Sequence, residues 1–203
     1  TMVRHHLCLL DSLTMHFAYP SLVLVLFVSA CGAGGTNQKP MNNPLAKAST
    51  LPFQAPVFDV LKNADFKPAI LAGMADQLTE VEAIVDDPEV PTFENTIVAM
   101  EKSGRNLTRA MSIFSNLTSS ATNDELQATK AELMPQLAAH NDAITLNEAL
   151  FRRVKAVYDG IASSGLDPVQ QRLVLRYYTR FVRAGALLDH GGKEQLKKLN
   201  EEE

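Results

Sequence analysis

From Asp65 onward the apolar residues recur at intervals of three and four, and no stretch alternates clearly between apolar and polar. That period gathers the apolar side chains on one face of a helix and does not build a half-buried strand. The expected fold class is therefore all-α. In the first segment the stripe runs through Phe66, Ile70, Leu71, Met74, Leu78, Val81, Ile84 and Val85, with Pro68 read as a first-turn proline, where its missing N–H has no partner to lose. Asp86-Asp87-Pro88 ends it, because proline disfavours helix at the residue before it.

The second segment, PTFENTIVAMEKSG and its continuation, opens with Thr92 as N-cap and Glu94 near the positive end of the helix dipole. Phe93, Ile97, Met100, Leu107, Met111, Phe114 and Leu117 form its seam. Gly104 interrupts that seam and is expected to mark a kink or a close helix crossing within one long helix over 93–119. A third helix follows Thr122-Asn123, with Pro135 expected to kink it; a fourth begins at Leu146 or Asn147 and ends at Ser163-Ser164-Gly165. Asp167 and Pro168 form the N-cap and first position of a fifth, whose seam runs to Leu188 and which His190-Gly191-Gly192 is expected to break. A sixth begins within KEQLKKLNEEE. Three glutamates at its negative pole, with no cap after them, read as a truncation.

The first 50 residues have a different character. The apolar run 22–30 is far shorter than the about 20 residues a spanning helix needs, and fits the apolar core of a secretory signal. Val28-Ser29-Ala30-Cys31 resembles a bacterial lipobox. By that resemblance 1–31 is a lipoprotein-type signal and Cys31 is the lipidated residue. The expected placement is then the periplasmic side of a bacterial membrane, held through a lipid anchor, with the cytoplasm as the second placement. Residues 32–50 are small, polar and proline-interrupted and read as a flexible tether, leaving 51–203 as the helical domain.

Little in the body suggests chemistry. A formal charge of −4 offers no basic excess for phosphates, so nucleic acid is not an expected partner. Both cysteines, Cys8 and Cys31, precede the helical region, which excludes a disulfide framework, a cysteine-based zinc site or a cysteine nucleophile there. No histidine is followed by Glu, and neither His140 nor His190 has a second histidine four residues away, so HExxH is absent. His140, on an apolar seam, reads as a core or boundary histidine with one hydrogen bond. The densest polar-aromatic cluster is on the fifth helix. Arg176, Arg180 and Arg183 share a face beside Tyr177, and either line a groove for a peptide carboxylate or form a solvated basic face paired to nearby acids.

Taken in order, LPFQAPVFDVLKNADFKPAI, PTFENTIVAMEKSGRNLTRAMSIFSNLTSSATNDELQ, PQLAAHNDAI, LFRRVKAVYD and RYYTRFVRAGALL resemble the N-terminal part of the M3 family of zinc metallopeptidases, nearest to the peptidyl-dipeptidase and oligopeptidase A branch. The resemblance covers about Leu51 to Glu203. It implies a mostly helical, two-lobed enzyme with a deep channel, acting on oligopeptides and releasing C-terminal dipeptides. It also implies a zinc ion held by HExxH and a further Glu, with the motif's Glu as general base. That motif lies downstream of the matched region in the family, so no catalytic or metal residue carries onto this chain. The segment is expected to be channel-wall scaffold, inactive alone. The alternative is a non-catalytic helical lipoprotein that binds peptides or a partner protein.

Overall fold

The computed structural model describes residues 43–202, and among them are seven α-helices and no strand. The all-α expectation holds. Helix α1 (Asn63–Val85) is the longest, followed by α2 (Ala99–Lys102), α3 (Arg105–Ser120), α4 (Asp124–Thr145), α5 (Glu148–Asp159), α6 (Pro168–Arg183) and α7 (His190–Glu202). The signal and lipobox expected over 1–31, with Cys31, and the tether as far as residue 42, lie outside the described residues. The part of that tether within them carries local structure. Asn43 Nδ2 donates to the Asp65 carbonyl (2.7 Å), Asn43 Oδ1 accepts the Leu45 N–H (2.8 Å), and Leu45 is buried.

Most helix starts follow from local chemistry. Thr92 Oγ1 accepts the Asn95 N–H (3.1 Å) while Asn95 Oδ1 accepts the Thr92 N–H (2.7 Å), a reciprocal cap. It leads first into a π-helical segment, Phe93–Val98, and then into α2. Asn123 caps α4 through the Leu126 N–H, Asn147 caps α5 through Leu150, and Asp167 caps α6 through Val169 and Gln170.

Four expectations are corrected. Helix α1 starts at Asn63, where the Asp65 carboxylate accepts the Lys62 N–H, so Pro68 lies inside the helix and not in its first turn. The helix expected over 93–119 is two helices. Ser103 is extended and Gly104 is left-handed (φ 69°), so the chain breaks there, and the Gly104 N–H is taken by Glu80 Oε2 of α1 (2.7 Å). Helix α5 stops at Asp159 and is followed by a 3-10 turn, Ile161–Ser163, before Gly165. The fifth expected helix ends at Arg183, well before Leu188. There the Ala186 N–H bonds the Phe181 carbonyl (3.0 Å) and the Gly185 N–H bonds that of Val182 (3.1 Å), a Schellman closure with Gly185 at φ 93°. His190-Gly191-Gly192 then starts α7, with Asp189 Oδ1 accepting the Gly192 N–H (2.7 Å).

Two apolar clusters result, and α1 belongs to both. Its N-terminal half places Phe66, Ile70 and Met74 against Leu107, Ala110 and Phe114 of α3 and Leu126 and Leu133 of α4. The Phe66 and Phe114 rings lie 5.4 Å apart. Its C-terminal half places Val81 and Ile84 with Ile97, Met100, Leu150, Phe151, Val154, Val174 and Phe181. Burial of each large side chain here is worth about 1.5–3 kcal/mol. Stacked rings extend the second cluster outward, with Tyr158 and Tyr178 4.0 Å apart and nearly parallel. Buried Arg153 of α5 fixes the turn after α1: its Nη1 donates to the Asp87 carbonyl (2.8 Å) and its Nη2 reaches Asp87 Oδ2 (3.4 Å).

The α1–α3 crossing is set by Gly73. A Cβ there would lie 2.7 Å from both the N and Cα of Leu107. Alanine in a helix interior normally stabilises by about 1 kcal/mol over glycine. Overpacking against backbone costs about 1–3 kcal/mol, and backbone cannot swing aside. The steric cost prevails. Gly73→Ala is therefore expected to destabilise the domain by up to about 2 kcal/mol net. Gly160→Ala, whose Cβ would meet nothing closer than 3.5 Å, is expected to stay close to the parent. Urea unfolding of the two variants measures both.

Candidate functional site

At the junction of the two clusters is a cavity of about 270 Å³, walled by α1, α4 and α6 and by the end of α2. Its apolar walls are Val81, Met100, Leu107, Leu137, Ile144 and Phe181, and its polar residues include Gln77, His140, Tyr177 and Arg180. The chain reaches this arrangement through Gly104. Its missing side chain leaves room for the Gln77 amide, which a Cβ would approach to 2.4 Å. Gln77 Oε1 in turn pairs with His140 Nε2 at 2.8 Å.

His140 is nine-tenths buried and makes that one hydrogen bond, as its place on the seam suggests. With Gln77 Oε1 as acceptor, Nε2 carries the proton, and Nδ1 is an acceptor with no protein partner. Burial lowers the pKa of the imidazole, since a charged ring would lose its hydration.

The cluster on α6 is divided by the fold. Tyr177 and Arg180 line the cavity; Arg176 and Arg183 do not. Tyr177 donates to Glu101 Oε1 (2.6 Å), and burial together with that carboxylate raises its pKa, opposed by the nearby Arg180 and Arg176. Arg176, Arg180 and Arg183 are exposed, and none of them takes part in an ion pair among the described residues. The acids expected to pair with that face are therefore elsewhere, apart from Glu101, which serves the tyrosine. Gln77, Glu101 and Asn141, which complete this region, gave no signal in the sequence. Glutamine and asparagine on a helix have no motif, and Glu101 is 76 residues from the hydroxyl it accepts.

No group of three or more His, Cys, Asp or Glu able to hold a metal occurs among the described residues. The described residues therefore do not form a zinc site.

No protein-family model matches the chain. Two curated relatives do. It is 46% identical over 160 residues to the dipeptidyl carboxypeptidase of Salmonella typhimurium and 44% identical over 160 residues to that of Escherichia coli. Each match covers 79% of this chain and 24% of the relative. The chain is homologous to these dipeptidyl carboxypeptidases, which are M3 peptidases, and spans about a quarter of their length.

These relatives overturn the expected placement as a lipid-anchored protein on the periplasmic side. The helical body matches dipeptidyl carboxypeptidases over 160 residues; no helix among the described residues is long and apolar enough to cross a membrane. The lipoprotein reading rested on a nine-residue apolar run and one cysteine, and it is withdrawn.

The buried His140 gives a pH prediction. Its folded pKa lies below the unfolded value, so the unfolded chain binds more protons and stability rises with pH through that interval. The contribution is complete above the unfolded pKa of about 6.5 and falls away as pH drops toward the folded pKa. The charged and titratable groups facing it across the cavity are Tyr177 and Arg180, and the Tyr177 pKa is raised, away from that range. Urea unfolding at about pH 7.5 and about pH 5 is expected to show a smaller loss of stability in His140→Gln than in the parent.

Proposed function

We propose that this chain is a scaffold segment of a dipeptidyl carboxypeptidase, a metallopeptidase that releases C-terminal dipeptides from oligopeptides. The observation that carries the reading is the 46% identity sustained over 160 residues to an enzyme of that name. In this reading the segment is part of the helical lobe that walls a substrate channel, and the oligopeptide is the substrate of the whole enzyme. It supplies no catalytic residue. The zinc ligands and the general base belong to sequence outside this chain.

Two features of the segment support a scaffold role. Leu51, Phe53, Phe58 and Val60 are exposed along the stretch that precedes α1, a density of apolar surface suited to packing against further polypeptide. Three buried charged groups are engaged structurally: Asp142 accepts the Asn200 amide, Lys193 pairs with Glu148, and Arg153 holds the turn after α1.

The mass of the native protein tests this directly. An antibody raised against residues 51–203 is expected to detect a band several times heavier than 22.2 kDa, one that releases dipeptides from a blocked oligopeptide and loses that activity on chelation. The purified 203-residue chain is expected to release none, with or without added zinc. A native band at or below 22.2 kDa would replace this reading with a non-catalytic helical protein that binds peptides or a partner.

A further inference from the structure

We propose that the arm leading into α1, residues 48–60, is a preformed docking surface for an apolar face of the part of the enzyme that lies outside this chain. The proposal rests on the peptidase reading, which supplies the occupant: the curated relatives are about four times as long as the part matched here. The arm is anchored at both ends. Leu45 is buried in the cluster around Phe66, Leu61 packs against the same cluster, and Asn43 holds the Asp65 carbonyl. Between those anchors the arm has no core of its own. Neither of its 3-10 turns, Pro52–Gln54 and Phe58–Val60, buries a residue. Residues 48–58 carry no charge, and Leu51, Phe53, Val57, Phe58 and Val60 are all exposed. Single exposed apolar residues are ordinary, but this many along one short anchored stretch form a patch, and a patch marks a surface meant for contact.

Two further features suit the arm to a dry interface. Much of its backbone is already paired within it. The Gln54 N–H donates to the Leu51 carbonyl (2.9 Å), Ala55 to Pro52 (3.2 Å), Val60 to Val57 (3.2 Å) and Leu61 to Phe58 (3.3 Å), while Pro52 and Pro56 have no N–H to lose. A surface so arranged can give up its water with few donors left unpaired. The second feature is strain. Phe53 and Gln54 are both left-handed, at φ 58° and 56°, a conformation that residues with a Cβ seldom adopt. That turn sets the Phe53 side chain wholly in solvent. Neither the strain nor the exposed ring is offset by burial within the arm, and a partner that covered Phe53 would offset both.

Hydrogen exchange read by mass spectrometry tests this on two proteins, the 203-residue chain and the native protein that the antibody detects. The arm amides are expected to exchange at nearly unprotected rates in the 203-residue chain and about a hundred-fold more slowly in the native protein. Phe53→Ala is expected to speed the arm's exchange in the native protein about ten-fold, and to leave the urea midpoint of the 203-residue chain unchanged. Equal exchange in the two proteins would overturn the proposal and leave the peptidase reading standing, as would arm protection that Phe53→Ala does not alter. Protection already present in the 203-residue chain would also overturn it, assigning the cover to that chain itself or, where protection grows with concentration, to a second copy. A native band at or below 22.2 kDa would overturn the peptidase reading on the blot, and this proposal with it.

Discussion

The described unit depends on one close contact, the passage of the Leu107 backbone across Gly73 in the middle of α1. A 23-residue helix is about 35 Å long, roughly the width of a small domain. A helix of that length cannot bury its apolar face against one neighbour, and here it serves two. Gly73 brings α3 down onto the N-terminal half, which closes the cluster around Phe66 and Phe114. The chain must leave α2 at the angle that crossing requires, and Ser103 and Gly104 provide the turn. Gln77 and Glu80, one and two turns further along α1, then hold the junction, Glu80 through the Gly104 N–H and Gln77 by filling the space beside it.

The same crossing explains why a cavity exists where it does. Two separately packed clusters share α1 but meet only along its middle, and the residues at the meeting line are mixed in character. Val81, Met100 and Phe181 come from one cluster and Leu107 from the other, with Gln77, His140 and Tyr177 between them. A fully apolar seam would have closed by side-chain interdigitation. The polar groups here are each held by a directional bond, Gln77 to His140 and Tyr177 to Glu101, which fixes them at positions that packing alone would not choose.

What the sequence made legible was local. Thr92 and Asp167 cap helices where they were expected to, and the helices expected to start after Asn123 and at Leu146 or Asn147 are capped by those two asparagines, because a cap is decided by residues three apart and by little else. His140 was likewise readable, since its neighbours on the seam are apolar. The helix ends were less so. A Schellman closure at Gly185 is as strong a stop as a pair of glycines, but the sequence offered His190-Gly191-Gly192 as the more conspicuous signal, and Asp189 turned those glycines into a first turn. Gly73 gave no hint, for a glycine within a regular apolar stripe looks like a simple propensity loss until the helix that crosses it is known. Of the α6 cluster, spacing correctly put Arg176, Arg180 and Arg183 on one exposed face, but which of them reaches the cavity depends on Met100, Leu137 and Ile144 from distant elements.

The attachment of α7 differs in kind from that of every helix before it. No residue of α7 belongs to either apolar cluster; it is held to α4 by Asn200 on the Asp142 carboxylate and to α5 by Lys193 on Glu148. Those bonds are polar, and salt screens the exposed Glu148 end of one of them more than the buried Lys193 and Asp142. An attachment of that kind allows a helix to open locally while the apolar clusters stay closed, so the α7 amides are expected to exchange faster than those of the helices that build the clusters.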